Sequence, residues 1–155
     1  MCSSDLFVVR SPGHLAVPRP EGVTTDVACT AEELALAERI AIEGYPLASA
    51  AGAPANSVYA AETLESPLLV RIGRLAGEPV SAAASYFAHD VVNLCLAATL
   101  PAGRRQGVWA QLVADRVNDE EHYPACAITS DDSRPGFVKL GFLPVQRMTM
   151  WMRPS

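Results

Sequence analysis

Between residues 68 and 99 three apolar-rich runs, LLVRIGRL, VSAAASYFA and VVNLCLAAT, follow one another with only AGEP and His89-Asp90 between them. Runs of that length separated by short turn signals predict three consecutive strands joined by hairpins. A different period governs 31–43, where Leu34, Ala37 and Ala41, with Leu36 and Ile40 beside them, form one apolar side. That spacing predicts a helix. Thr30 stands three residues before Glu33, the spacing of a capping box, and Gly44 before Pro46 supplies the stop.

The remaining pattern completes an α/β order. VTTDVAC reads as a strand from residue 23, a helix is expected over about 106–118, ACAIT (125–129) as a strand, 135–140 as a short helix, and 142–152 as final strands. Residues 46–66 are small, alanine-rich and broken by Gly52 and Pro54, so a short helix and a loop are equally tenable there. The first 22 residues carry Pro12, Pro18 and Pro20 with Gly13 and Gly22, which predicts an irregular N-terminal arm around a short strand from Leu6 to Val9. The expected architecture is a single α/β domain over 23–155, with a mixed, mostly antiparallel central sheet flanked by helices.

Composition narrows the function classes. With 155 residues, half of them hydrophobic and 19% charged, the chain can bury one core without metals or disulfides. The longest apolar stretches are interrupted by Ser81, Ser85, His89, Asn93 and Thr99, which argues against a membrane span. MCSSDLFVVR lacks the basic start of a secretory signal, so a cytoplasmic location is expected. Cys2, Cys29, Cys95 and Cys126 form no CxxC and have no histidine at zinc-ligand spacing; neither a metal site nor a disulfide framework is expected. A formal charge of −5 and a pI near 5.1 speak against nucleic acid as a partner, so an anionic ligand must be met locally.

One stretch has that local character: 97-AATLPAGRRQGVWAQLV-113, where an expected strand ends at Pro101 and a helix starts just after Gly107. The first N–H groups of a helix lack intrahelical acceptors and lie at the positive end of its dipole, which suits phosphate oxygens. Arg104 and Arg105 add charge, and Gly107 allows close backbone approach. Neither a P-loop nor GxGxxG is present. Val108, Leu112, Val113 and Val117 would bury the helix.

Arg104-Arg105-Gln106-Gly107-Val108-Trp109 resembles the RxxGxG/A acyl-coenzyme A loop of the GNAT N-acetyltransferase superfamily, and 137-FVKLGF-142 is similar to the superfamily's Y-E-K/R-L-G-F. The strand ending in Ala-Thr-Leu-Pro and the terminal FLPVQRMTMW agree with it. The resemblance implies acetyl-CoA as cofactor and an amine as acceptor. The backbone at Ala97 and Thr99 would pair with pantetheine amides; N–H groups from Arg105 through Gln106, Gly107, Val108 and Trp109 to Ala110 would hold the pyrophosphate, and Arg104 or Arg105 would reach phosphate. The acceptor would enter along 44–66 and the strands at 80–96. Pairing of relatives through sheets or C-terminal strands leaves a homodimer open.

Three departures accompany the match. Trp109 stands where the superfamily has a second glycine or alanine, and Phe137 stands where a tyrosine commonly protonates the departing thiolate; Phe137 itself would border the coenzyme. VVNLCLAAT contains no carboxylate to serve as base. Ser133 and Tyr123 are substitute acids and Asp90 a candidate base, each with a plain structural alternative: a helix cap, loop packing and a turn. His89 stands with Asp90 in the same turn, and Glu43, Tyr45 and the Asp131-Asp132 pair are candidates of the same standing. An acetyltransferase, a non-catalytic acyl-CoA-binding module and an interaction domain without a cofactor site are the three competing readings.

Overall fold

The structure, a computed structural model, describes residues 2–45 and 52–151. Its elements are β1 (Cys2–Arg10), β2 (Val23–Val27), α1 (Ala31–Gly44), β3 (Leu68–Leu75), β4 (Glu78–Ala88), β5 (Val91–Thr99), α2 (Val108–Asn118), β6 (Ala125–Thr129), α3 (Arg134–Lys139) and β7 (Leu143–Trp151). Single 3-10 turns occupy Ala61–Glu65 and Pro101–Gly103. The seven strands form one sheet in the order β2-β3-β4-β5-β6-β1-β7. Every neighbouring pair is antiparallel except β5 with β6. The chain therefore has the expected mixed, mostly antiparallel α/β fold.

The hairpins form where local turn chemistry allows them. Ala76 and Gly77 both take positive φ, as do His89 and Asp90, the backbone a two-residue hairpin turn needs to match strand twist. Helix α1 begins as the capping spacing requires, with Thr30 Oγ1 accepting from the Glu33 N–H at 3.2 Å. The Glu33 carboxylate reaches one residue further back than expected and accepts from the Cys29 N–H at 2.7 Å.

Successive residues of β4 point to opposite faces, and the two faces receive different helices. Ala82 and Ala84 pack with Leu34, Ala37 and Ile40 of α1, whereas Ala83 packs with Val108 and Leu112 of α2. Farther along α2, Val113, Ala114 and Val117 join Val8, Val92 and Ala127 from the centre of the sheet. The alanines let both helices lie close to the strand. Each fully buried Val or Leu contributes roughly 1.5–3 kcal/mol, so these stripes hold the helices in place.

The N-terminal segment departs from expectation. Only residues 11–22 are irregular; Cys2–Arg10 is a strand deep in the sheet, antiparallel to β6 on one side and β7 on the other. Leu6 and Val8 face the core, and both backbone edges find partners. The irregular part is tied down by Asn118, which bonds the N–H and carbonyl of Leu15, and by Asp115, which receives Arg19 and the Thr25 hydroxyl. Of the segment read as helix or loop, 52–60 is irregular and 61–65 a single turn, while 46–51 lies outside the described residues. No described helix is long and apolar enough to cross a membrane.

Candidate functional site

Strands β5 and β6 pair only from Val92–Ala125 to Leu94–Ala127 and then part. Two features of β5 sharpen the divergence. It takes one residue more than β4 between the pairs Ala84–Cys95 and Ala82–Ala98, and Leu96 within that bulge has φ +50. A leucine in that region costs about 1–2 kcal/mol, a strain of the kind found at functional sites. The gap opens a cleft of about 360 Å³ lined by α1, the 58–59 segment, β5, β6 and the start of α3. On the cleft side, β5 beyond Leu94 has no strand partner among the described residues.

At the far end of β5 lies a second hollow of about 330 Å³, lined by Thr99, Gly103, Arg104, Arg105, Gly107, Trp109 and Ala110. Arg105 (φ +61) and Gly107 (φ +81) both take left-handed conformations, a turn that brings successive N–H groups onto one concave surface. Gly107 is the N-cap of α2, and its carbonyl accepts from Gln111. The N–H groups of Val108, Trp109 and Ala110 therefore have no intrahelical acceptor. Glycine here has a further reason: a Cβ at 107 would stand 2.6 Å from Pro20 Cγ, so the missing side chain makes room for the N-terminal segment. Gly44 plays the matching role across the site, since a Cβ there would press on Ala98 and the Thr99 backbone at 3.2 Å.

The two arginines divide. Arg104 turns back, its Nε donating to the Thr99 carbonyl at 3.2 Å and its Nη2 to the Gly44 carbonyl at 3.4 Å, and so ties the strand end to the end of α1. Arg105 is exposed. Trp109 does not fill the hollow: its indole lies against α3, edge-on to Phe137 at 5.1 Å, close enough that a Cβ at Gly136 would meet it at 2.8 Å. Phe137 is buried between Trp109 and Phe142 and lines the cleft. Ser133 lines it too, sharing a 2.9 Å hydroxyl hydrogen bond with Ser130 instead of capping α3 through its side chain.

Other candidates fall elsewhere. Tyr123 packs on Phe87 at 4.8 Å, outside the cleft lining, and Asp90 sits in the hairpin at the opposite end of β5 from Ala97 and Thr99. Glu43 and His89 are exposed and line neither hollow, and Asp131 holds Arg147 at 3.0 Å. Tyr45 stands half in water at the cleft rim.

Residues not singled out from the sequence make the cleft floor. Glu38 of α1 is 3% exposed, and its carboxylate accepts from the backbone N–H of Ser57 at 3.2 Å, Val58 at 2.7 Å and Tyr59 at 2.8 Å. Tyr59 is buried, and burial, followed by nearby Cys95 and Glu38, pushes its phenol up to about 12. Arg116 of α2 is 1% exposed, donating from Nε to Leu112 and from Nη1 to the carbonyls of Ala84 and Cys95. Burial lowers its guanidinium to about 10, which leaves it charged at neutral pH. Glu38 carried a signal in the sequence, a carboxylate between Ala37 and Ile40 on the apolar side of a helix; Arg116 sits likewise beside Val117.

Two parting central strands beside a helix N-terminus, with helices on both faces of a mostly antiparallel sheet, define an α/β domain whose unpaired strand edge leads toward a helix start. Comparison with solved structures supplies the superfamily. A GCN5-related N-acetyltransferase from Kribbella flavida is 28% identical with a TM-score of 0.69, over 92% of this chain and 55% of its own. AAC(6')-Iy, in complex with a bisubstrate analogue, CoA-S-monomethyl-acetylneamine, is 19% identical with a TM-score of 0.65, over 86% of this chain and 99% of its own. A predicted acetyltransferase with acetyl-CoA from Clostridium acetobutylicum is 17% identical with a TM-score of 0.55, over 86% and 96%. The chain has the fold of the GCN5-related N-acetyltransferase, or GNAT, superfamily. It spans about 55% of the Kribbella protein's length. No protein-family model matches the sequence, and no curated protein matches it significantly.

Proposed function

We propose that the chain is an N-acetyltransferase that moves an acetyl group from acetyl-CoA directly to an amine. The observation that carries this reading is the continuity of the unpaired edge of β5 with the N–H-lined hollow at α2: an extended ligand ending in a diphosphate fits the two together. Acetyl-CoA, when bound, supplies a thioester whose thiol is a stable leaving group. Ala97 and Thr99 offer backbone groups to the pantetheine arm, the N–H groups of Val108, Trp109 and Ala110 receive the pyrophosphate, and exposed Arg105 adds charge.

The amine enters from the α1 side. A C–N bond forms as the C–S bond breaks, so the amine must lose a proton and the thiolate gain one. Glu38 is the only carboxylate lining the cleft among the described residues; with three of about four lone-pair sites committed, it can draw the amine's proton through water. We assign protonation of sulfur to the Ser133 hydroxyl, which lines the cleft and shares a hydrogen bond with Ser130. Proximity and orientation supply the rest of the rate.

Release of free thiol from acetyl-CoA, measured over a panel of amines, tests the reading. We expect turnover that falls about 10-fold or more in Ser133→Ala and rises several-fold in Phe137→Tyr, which restores a phenol beside the cleft. A second reading, a module that binds acyl-CoA without turnover, is favoured by buried, protonless Phe137. Coenzyme binding with no thiol release from any amine would establish it.

A further inference from the structure

Five buried side-chain polar atoms lack a hydrogen-bond partner among the described residues, and three of them, Tyr59 Oη, Arg116 Nη2 and Thr129 Oγ1, belong to residues lining the one cleft. Buried polar groups are normally satisfied, so a cluster of exceptions asks for a cause. The three come from separate elements: the segment after α1, helix α2 and strand β6. Arg116 Nη2 brings two N–H donors, and each hydroxyl can bring one.

Arg116 also lacks a directly bonded carboxylate. Burying a cation without a partner is costly, and the protein solves the problem elsewhere: partly buried Arg71 meets Asp119 at 2.6 Å. Arg116 is bonded to three backbone carbonyls and to no carboxylate. Glu38 lines the same cleft but spends its oxygens on three backbone amides. The floor thus holds a guanidinium with no carboxylate bonded to it and several uncommitted donors, with apolar Ile42, Leu94 and Ile128 in the surrounding wall.

We infer that Arg116, Tyr59 and Thr129 form a carboxylate subsite at the cleft floor, which selects reactants carrying a carboxylate next to, or one short chain away from, the reacting centre. The inference rests on the acyltransferase reading and names its substrate class. Guanidinium and hydroxyl donors together match the two oxygens of a carboxylate, and charge-assisted bonds in a water-poor pocket discriminate strongly against a neutral analogue. The donor atoms themselves are shielded from solvent, so seating the carboxylate displaces cleft-lining side chains. The carboxylate can arrive on the acceptor, as in an amino acid, or on the acyl group.

Paired probes separate these sources. Calorimetry compares succinyl-CoA with butyryl-CoA, and titration of the CoA-loaded protein compares free amino acids with their amides. The carboxylate member of one pair should bind at least 10-fold tighter, and that margin should shrink to about 2-fold in Tyr59→Phe and in Arg116→Gln while the neutral member is unaffected. Tyr59→Phe removes one oxygen from an unpartnered position and keeps the fold testable if Arg116→Gln does not fold. Equal binding within both pairs, or a margin that survives Tyr59→Phe and every folded Arg116 variant, would overturn the subsite. Failure of CoA itself to bind would sink the acyltransferase reading instead, and the amino acid and amide pair, titrated into the free protein, would still decide the carboxylate.

Discussion

The loop before α2 and the floor of the cleft serve one groove but are made in opposite ways. The loop is contiguous, Leu100 to Ala110, and what it offers the proposed phosphate is backbone: two left-handed residues and a helix start. The floor is assembled from Glu38, Tyr59, Arg116 and Thr129, residues far apart in the chain that line one cleft only in the fold. A backbone site tolerates many side chains and depends on conformation; a side-chain site depends on identity and on neighbours. That contrast can be broken at either end.

The largest effect is expected at the floor. Replacing Glu38 by leucine strands the N–H groups of Ser57, Val58 and Tyr59, at about 1–3 kcal/mol for each one left buried and unpaired. Urea denaturation should show a loss of about 3 kcal/mol or more. A loss below about 1 kcal/mol would mean that the 57–59 segment is held by other contacts.

Next comes the Tyr59 phenol. Its folded value of about 12 lies above the ordinary 10.0, so the fold holds this proton more tightly than the unfolded chain does. The associated stability is intact below pH 10 and drains away as pH climbs toward 12, by up to about 2–3 kcal/mol. Arg116 acts in the opposite sense: its lowered value means that deprotonation above about pH 10 favours the fold. The difference between wild type and Tyr59→Phe isolates the phenol, and equal slopes above pH 10 would contradict its burial.

At the loop, conformation is the target. Gly107→Ala forces an L-residue to φ +81 against Pro20, a strain of about 1–2 kcal/mol, and should weaken acetyl-CoA binding about 10-fold. The smallest effect belongs to a side chain: Arg105→Ala should weaken binding about 5-fold and flatten its salt dependence, because its contact is exposed and screened. If Arg105→Ala cost more than Gly107→Ala, the loop would be a side-chain site after all.

The same division explains what the sequence disclosed. Helix α1, its Thr30-Glu33 cap and the hairpins β3-β4-β5 are specified by near neighbours, so period and turn residues sufficed to read them. The loop before α2 was legible as a glycine turn into a helix for that reason too, and Gly107 there also makes room for Pro20. Strand β1 was not legible as an interior strand, since its partners β6 and β7 lie more than a hundred residues away and only their edges require it. Arg116, beside Val117 on the buried side of α2, carried only the faint signal of a charge at an apolar face. Its burial depends on tertiary partners, the carbonyls of Ala84 and Cys95 beside the β5 bulge, which near neighbours in the sequence do not specify.

Calorimetric titration of the protein with acetyl-CoA, run beside Arg105→Glu, tests the groove most directly. One site of micromolar affinity, weakened at least 10-fold by the charge reversal in a variant that remains folded, is the predicted result. No binding at millimolar coenzyme would contradict the account, leaving a GNAT fold whose loop and parted strands serve some other ligand.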